Sequence, residues 1–167
     1  MGDVRSCVVR TYGTAADNGW PMPPAPGSGA AGDWLWNGYD YRGSPALEDW
    51  ESEQITSNEQ RIGDVYAGDF SSHIGIAALF EGFLAEIVDR GYELRDAIGY
   101  GYRCTNASGG WDCPSGNVRD LSFHAWGLAF DMNSDANPIT TYRHPSGGNA
   151  CEVAMATDMP QWVIQTA

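Results

Sequence analysis

A chain of 167 residues with 43% hydrophobic side chains is the size of one ordinary domain and apolar enough to bury a core. Its nine basic residues are all Arg and face 22 acidic ones; the net charge of -13 repels phosphate backbones and anionic headgroups, which argues against a nucleic-acid or membrane-surface partner. No apolar run approaches the roughly 20 residues that span a bilayer, and the first 20 residues, with Asp3, Arg5, Arg10 and Asp17, do not read as a secretory leader.

In chain order, residues 21–32 (Pro-Met-Pro-Pro-Ala-Pro-Gly-Ser-Gly-Ala-Ala-Gly) read as an extended, turn-rich connector. Asn37-Gly38, between the aromatic arms Trp34-Leu35-Trp36 and Tyr39-Asp40-Tyr41, predicts a tight hairpin, because both central turn residues need positive φ. Its aromatics are expected to cover the core as a lid rather than to stack on sugar. Residues 1–46 are therefore read as an N-terminal extension and 47–167 as the main domain.

The spacing of Ile76, Phe80, Phe83, Leu84, Ile87 and Val88 predicts a helix over 72–90, capped by Ser71 or Ser72 and stopped at Arg90-Gly91. His73, in its first turn, is expected to face solvent or belong to the cap. Tyr92 to Cys104 predicts a strand near its end, and Leu128 to Met132 a second one. On the latter, Leu128, Phe130 and Met132 share one face, and Ala129, Asp131 and Asn133 the other. With long loops around 106–119 and 135–149, the fold class is α+β: a small antiparallel sheet with flanking helices and long loops.

Four cysteines, Cys7, Cys104, Cys113 and Cys151, permit three disulfide pairings. Cys104 and Cys113 bracket a polar, glycine-bearing loop that a bridge closes easily, and no Cys-x-x-Cys pair speaks for a zinc cluster. An oxidising destination fits this use of cysteine, with buried free thiols as the other reading. Reaching it without a leader calls for another exit route, such as cell lysis or assembly into a particle.

The segment that carries chemistry is Ser122-Phe123-His124-Ala125-Trp126-Gly127-Leu128-Ala129-Phe130-Asp131. A glycine turn between an imidazole and a strand carboxylate lets His124 and Asp131 converge on one point. Two such donors on rigid backbone are two-thirds of a three-ligand zinc site. A metal-free His–Asp hydrogen-bonded pair satisfies the same spacing, because a buried carboxylate needs one partner or the other.

The pattern Ser-x-His-x-x-Gly-x-Ala-x-Asp, here Ser122, His124, Gly127, Ala129 and Asp131, resembles the signature of zinc peptidoglycan peptidases of the D-alanyl-D-alanine carboxypeptidase and L-alanyl-D-glutamate endopeptidase type. Gly99-Tyr100-Gly101-Tyr102-Arg103 resembles that family's strand ending in Gly-Tyr-Arg. Asn137-Pro138 and Asp158-Met159-Pro160 lie where relatives carry similar residues, so the likeness covers about 70–165. The resemblance implies the family's fold and a zinc cofactor held by His124 and Asp131. It implies that Arg103 grips a substrate carboxylate or the oxyanion, and that Ser122 orients substrate or the histidine. The implied partner is a peptidoglycan stem peptide, in a phage setting of endolysin or tail component, with other virion proteins as neighbours.

The family's third zinc histidine and catalytic carboxylate belong to a later Asp-x-x-His-Phe-Glu segment, which the sequence to Ala167 does not contain; His73 and His144 lack its context. The C-terminal part of the fold is accordingly expected to be missing, and zinc to be weakly bound or absent. The alternative expectation is a structural or binding module, such as a tail-tip protein, that keeps the peptidase fold without turnover.

Overall fold

In the computed structural model, residues 14–25, 45–56, 61–62, 65–66, 70–104, 117–118, 121–137 and 157–166 are described. The aromatic hairpin at 34–41, the Cys7, Cys113 and Cys151 ends of any bridge, and His144 lie outside them. The described chain mixes helices with small antiparallel ribbons: α1 (Pro45–Gln54), β1 (Arg61–Ile62), β2 (Val65–Tyr66), α2 (Ala77–Asp89), β3 (Ala97–Ile98), a 3-10 turn (Phe123–Trp126), β4 (Asp131–Met132) and α3 (Gln161–Thr166). β1 pairs antiparallel with β2, and β3 with β4 in the register Ala97↔Met132, Ile98↔Asp131. No helix among the described residues is long and apolar enough to cross a membrane.

Two apolar clusters hold these elements. In the first, Leu47 and Trp50 of α1 pack with Tyr102, Cys104, Leu121, Ala125 and Trp126, joined by Ala15 and flanked by Trp20. In the second, Leu84 and Ile87 of α2 meet Phe70, Tyr92, Leu94, Ala97 and Val163 of α3. Phe130 joins it edge-on to Phe80 and Phe70, at 4.7 and 5.6 Å between ring centroids, a favoured arrangement for ring quadrupoles. Ala15 and Trp20 precede α1 yet share its core, so the expected division at residues 46/47 runs through one helix and one cluster. Residues 21–25 are extended, but they are not a free connector: Pro23 is buried, and the Tyr102 hydroxyl donates to the Pro24 carbonyl.

α2 begins five residues later than its apolar spacing suggests. Its N-cap is Ile76, with no side-chain cap, and neither Ser71 nor Ser72 serves. Those residues are committed elsewhere: Thr56 N–H donates to the Ser72 carbonyl at 2.9 Å and Tyr100 N–H to that of Ser71 at 2.6 Å. An extended backbone that already serves two neighbours cannot also start a helix. The far end behaves as expected. Arg90 is the C-cap and Gly91 takes φ 90°, a left-handed stop open to glycine.

The second strand starts at Asp131 rather than Leu128, and it ends at Met132 as expected, where the chain turns left-handed at Asn133 (φ 44°). Asn133 is fully buried rather than sharing the Asp131 face. Its Nδ2 donates to Tyr92 Oη, Glu93 O and Asp158 Oδ2, and its Oδ1 accepts from Arg95 N and Asp96 N. Asp158 also accepts from Tyr92, Asn137 and Arg95, which ties the segment leading into α3 to the end of β4. Arg90 completes the α2–α3 contact, with its guanidinium 4.3 Å from the Trp162 ring centroid and bonded to Thr166.

Candidate functional site

One extended stretch, residues 97–104, spans both clusters and assembles the site. Ala97 is buried in the second, and Tyr102 and Cys104 in the first. At its start it pairs with β4 through Ile98↔Asp131. Farther on it lies antiparallel to the chain entering the 3-10 turn: Cys104 bridges to Leu121, Ser122 N–H donates to Arg103 O, and Gly101 N–H donates to His124 O. Both pairings are antiparallel to the same stretch, so the chain keeps its direction, and the turn takes up the extra residues between His124 and Asp131. Ser122 Oγ accepts the His124 N–H at 3.3 Å to cap it, and Gly127 closes it at φ 66°. The sequence spacing thereby brings His124 beside Asp131.

Three of the four expected site residues converge. His124 Nε2 and Arg103 Nη2 each lie 3.5 Å from Asp131 Oδ2. His124 is nearly buried, whereas the Asp131 side chain is 49% exposed and so reachable from solvent. The fourth, Ser122, uses its hydroxyl to cap the turn; of the two roles expected for it, this favours holding the histidine's backbone over touching substrate. Burial pulls the Asp131 carboxyl upward, but the His124 ring and the Arg103 guanidinium outweigh this and leave it below the ordinary carboxylate range.

A contact that sequence reasoning did not anticipate fixes the histidine. His124 Nδ1 lies 2.7 Å from the Gly99 carbonyl, which can only accept, so Nδ1 carries a proton and donates. Nε2 therefore turns either a lone pair or a second N–H toward the Asp131 oxygen. Two lone pairs at 3.5 Å need a cation between them, a proton or a metal. A charge-assisted N–H···O bond prefers about 2.7–2.9 Å. Two donors at about 2.0–2.1 Å from a tetrahedral zinc stand roughly 3.3–3.4 Å apart. The observed 3.5 Å is longer than such a bond and close to the metal-type spacing, although Arg103 stands at the same distance from the same oxygen; a ring whose other nitrogen is tied to a carbonyl is the usual support of a histidine ligand. The donors fit two positions of a zinc site; among the described residues no group of three or more His, Cys, Asp or Glu side chains is placed to hold an ion.

Gly99 is where the sequence carried a signal that was not read. A Cβ there would lie 2.1 Å from the Ser71 carbonyl oxygen, so only glycine lets the strand approach closely enough to offer its carbonyl to His124. Directly after Arg103, Cys104 is fully buried and disulfide-bonded; the expected partner Cys113 is outside the described residues. Beside the site, Tyr100 donates its hydroxyl to Glu51 at 2.6 Å and tilts against Trp50.

His73 departs from expectation in part. It is 4% exposed rather than facing solvent, but it does belong to the entry of α2: its Nδ1 accepts the Gly75 N–H at 2.9 Å and its carbonyl accepts the Ile76 and Ala77 N–H groups at 3.0 Å. Its backbone pairs with Ile55 and with Gly127, because the Ser71–His73 stretch is used as a strand.

No family model, curated protein or solved structure matches this chain.

Proposed function

We propose that the chain is a zinc-dependent peptidase of bacterial cell-wall stem peptides, with His124 and Asp131 as two of the zinc ligands and the peptidase-type fold that the signature implies. The observation that carries this reading is the 3.5 Å separation of His124 Nε2 and Asp131 Oδ2, combined with the Nδ1–Gly99 carbonyl bond. Bound zinc supplies Lewis acidity and a water acidic enough to attack at neutral pH. The chain's own groups do the rest. Gly99 and the Ser122 cap hold the imidazole with Nε2 toward the Asp131 carboxylate. Arg103, 27% exposed in its side chain, presents a permanently charged fork to a substrate carboxylate or developing oxyanion. A disulfide at Cys104 accords with work outside the reducing cytoplasm, on a virion or after lysis.

A second reading, a non-catalytic binding or structural module on the same scaffold, is favoured by the Arg103–Asp131 pair. Arg103 already balances the carboxylate, so the group can stand closed without an ion.

Cobalt and zinc titration of wild type, His124→Ala and Asp131→Ala, followed by mass spectrometry of a stem peptide incubated with the loaded protein, separates the two. The peptidase reading expects one-to-one metal binding weakened at least tenfold by either substitution, and peptide cleavage that follows the bound metal. Binding indifferent to both substitutions removes the site assignment. Site-specific binding without cleavage leaves the module.

A further inference from the structure

His73 is a buried titratable group that the proposed chemistry does not use. Its Nδ1 accepts the Gly75 N–H at 2.9 Å, which places the ring proton on Nε2. That Nε2 has no hydrogen-bond partner among the described residues. The ring stands edge-on to Trp20, with centroids 4.8 Å apart. Its backbone is tied on both sides. His73 N–H donates to the Gly127 carbonyl at 2.9 Å, Ile74 N–H donates to Gln54 O, and an antiparallel bridge joins His73 to Ile55. The approach of Gly127 is so close that a Cβ there would lie 2.4 Å from His73 N. Gly127 in turn donates to the His124 carbonyl at 3.0 Å. Two backbone contacts thus separate the His73 residue from the histidine of the site.

The surroundings decide which charge state this arrangement tolerates. Trp20 packs on the ring from the N-terminal turn, and Gly75 from the ring's own segment. Gln54 and Ile55 adjoin from the end of α1, and Gly127 from the 3-10 turn. None of them titrates or carries a charge, and no salt bridge reaches the ring among the described residues. A second proton on Nδ1 would turn an acceptor into a donor facing the Gly75 N–H. It would add the Nδ1–H and the Gly75 N–H to the already unpaired Nε2–H and place a full charge among uncharged neighbours, a combination that burial penalises heavily.

We propose that neutral His73 is the positioning residue that locks the His124 turn against the Ser71–His73 stretch, and that protonation of its ring unlocks that turn. This rests on the packing alone and holds whether His124 ligates a metal or pairs with Asp131. Burial lowers the His73 pKa from its ordinary 6.5. An opened form, with the ring in water, takes up the proton at higher pH than the locked form does. The lock is therefore complete above the ordinary histidine value and weakens as pH falls below it, down to the folded value. One linked proton makes the opening constant rise about tenfold per pH unit in that window.

The test is NMR of the metal-free chain from about pH 7.5 to about pH 4, following the His73 and His124 rings, the Gly127 amide shift and the Gly127 exchange rate. The Gly127 shift is expected to share the His73 midpoint, below 6.5, with exchange corrected for its intrinsic pH dependence rising about tenfold per unit below 6.5. His73→Phe, similar in bulk and without a titrating proton, is expected to show neither change. A Gly127 curve that tracks the His124 ring overturns the proposal. So does a His73 midpoint at or above 6.5, or an acid response that survives in a folded His73→Phe. Should that variant not fold, the wild-type midpoints decide alone.

Discussion

Replacing Asn133 by Ala tests the joint that ends β4 two residues after Asp131. The side chain is fully buried and satisfies five groups. Tyr92 and Asp158 keep each other, at 2.6 Å, when it is removed. Arg95 N–H, Glu93 C=O and the longer-bonded Asp96 N–H do not, and each buried backbone group left without its partner costs about 1–3 kcal/mol. At φ 44° Ala adds roughly 1 kcal/mol of left-handed strain that Asn tolerates better. The sum is about 3–5 kcal/mol after partial relaxation, which lowers Tm by roughly 10 °C for a chain of this size. Urea unfolding of the oxidised protein, read by far-UV circular dichroism, measures it as a fall in midpoint at unchanged slope. Asn133→Gly should recover roughly 1 kcal/mol, the strain part alone. A loss under about 1 kcal/mol for Asn133→Ala would falsify the claim that this side chain carries the joint, since it is below the cost of one orphaned group.

Asp158 gives a pH prediction. Burial raises its carboxyl, but hydrogen bonds from Tyr92, Asn137, Asn133 and Arg95 outweigh this and hold it at about 2. The unfolded carboxylate titrates near about 3.9, so this contribution to stability is present above about pH 4 and lost as pH falls toward about 2; Asp158→Asn should flatten the acid limb of the unfolding midpoint. Gly99→Ala drives a Cβ against the Ser71 carbonyl at 2.1 Å and displaces the carbonyl that orients His124; cobalt affinity, read from the d–d spectrum, should fall about 10–100-fold, and undiminished affinity would show the Nδ1 bond to be incidental. Arg103→Ala removes a partly exposed ion pair worth about 0–1 kcal/mol, so the melting temperature should stay within a few degrees while binding of a peptide with a free C-terminal carboxylate weakens markedly. A variant that unfolds but binds normally per folded molecule makes Arg103 structural.

The sequence by itself determined the helix from Ala77 to its glycine stop, the turn at Ser122–Gly127, and the strand that delivers Asp131. Each depends on local rules: apolar spacing at 3.6 residues, alternation along a strand, positive φ at glycine. Spacing within a single segment also brought His124 and Asp131 together, and the resemblance of Gly99–Arg103 to the peptidase strand added Arg103 to them. What only the tertiary structure decided lies where two distant segments compete for the same backbone. Ser71, Ser72 and His73 have the composition of a helix start, yet they are drawn into strand pairing by Thr56, Tyr100 and Gly127, partners 16 to 54 residues away. His73 is buried for that reason, and Asn133 for a similar one: the Tyr92–Asp96 backbone and Asp158 need a common hydrogen-bond centre. Local spacing reports which face a residue prefers, but a buried polar group is placed by whichever distant donors and acceptors it must satisfy, and those are fixed only when the chain has closed on itself.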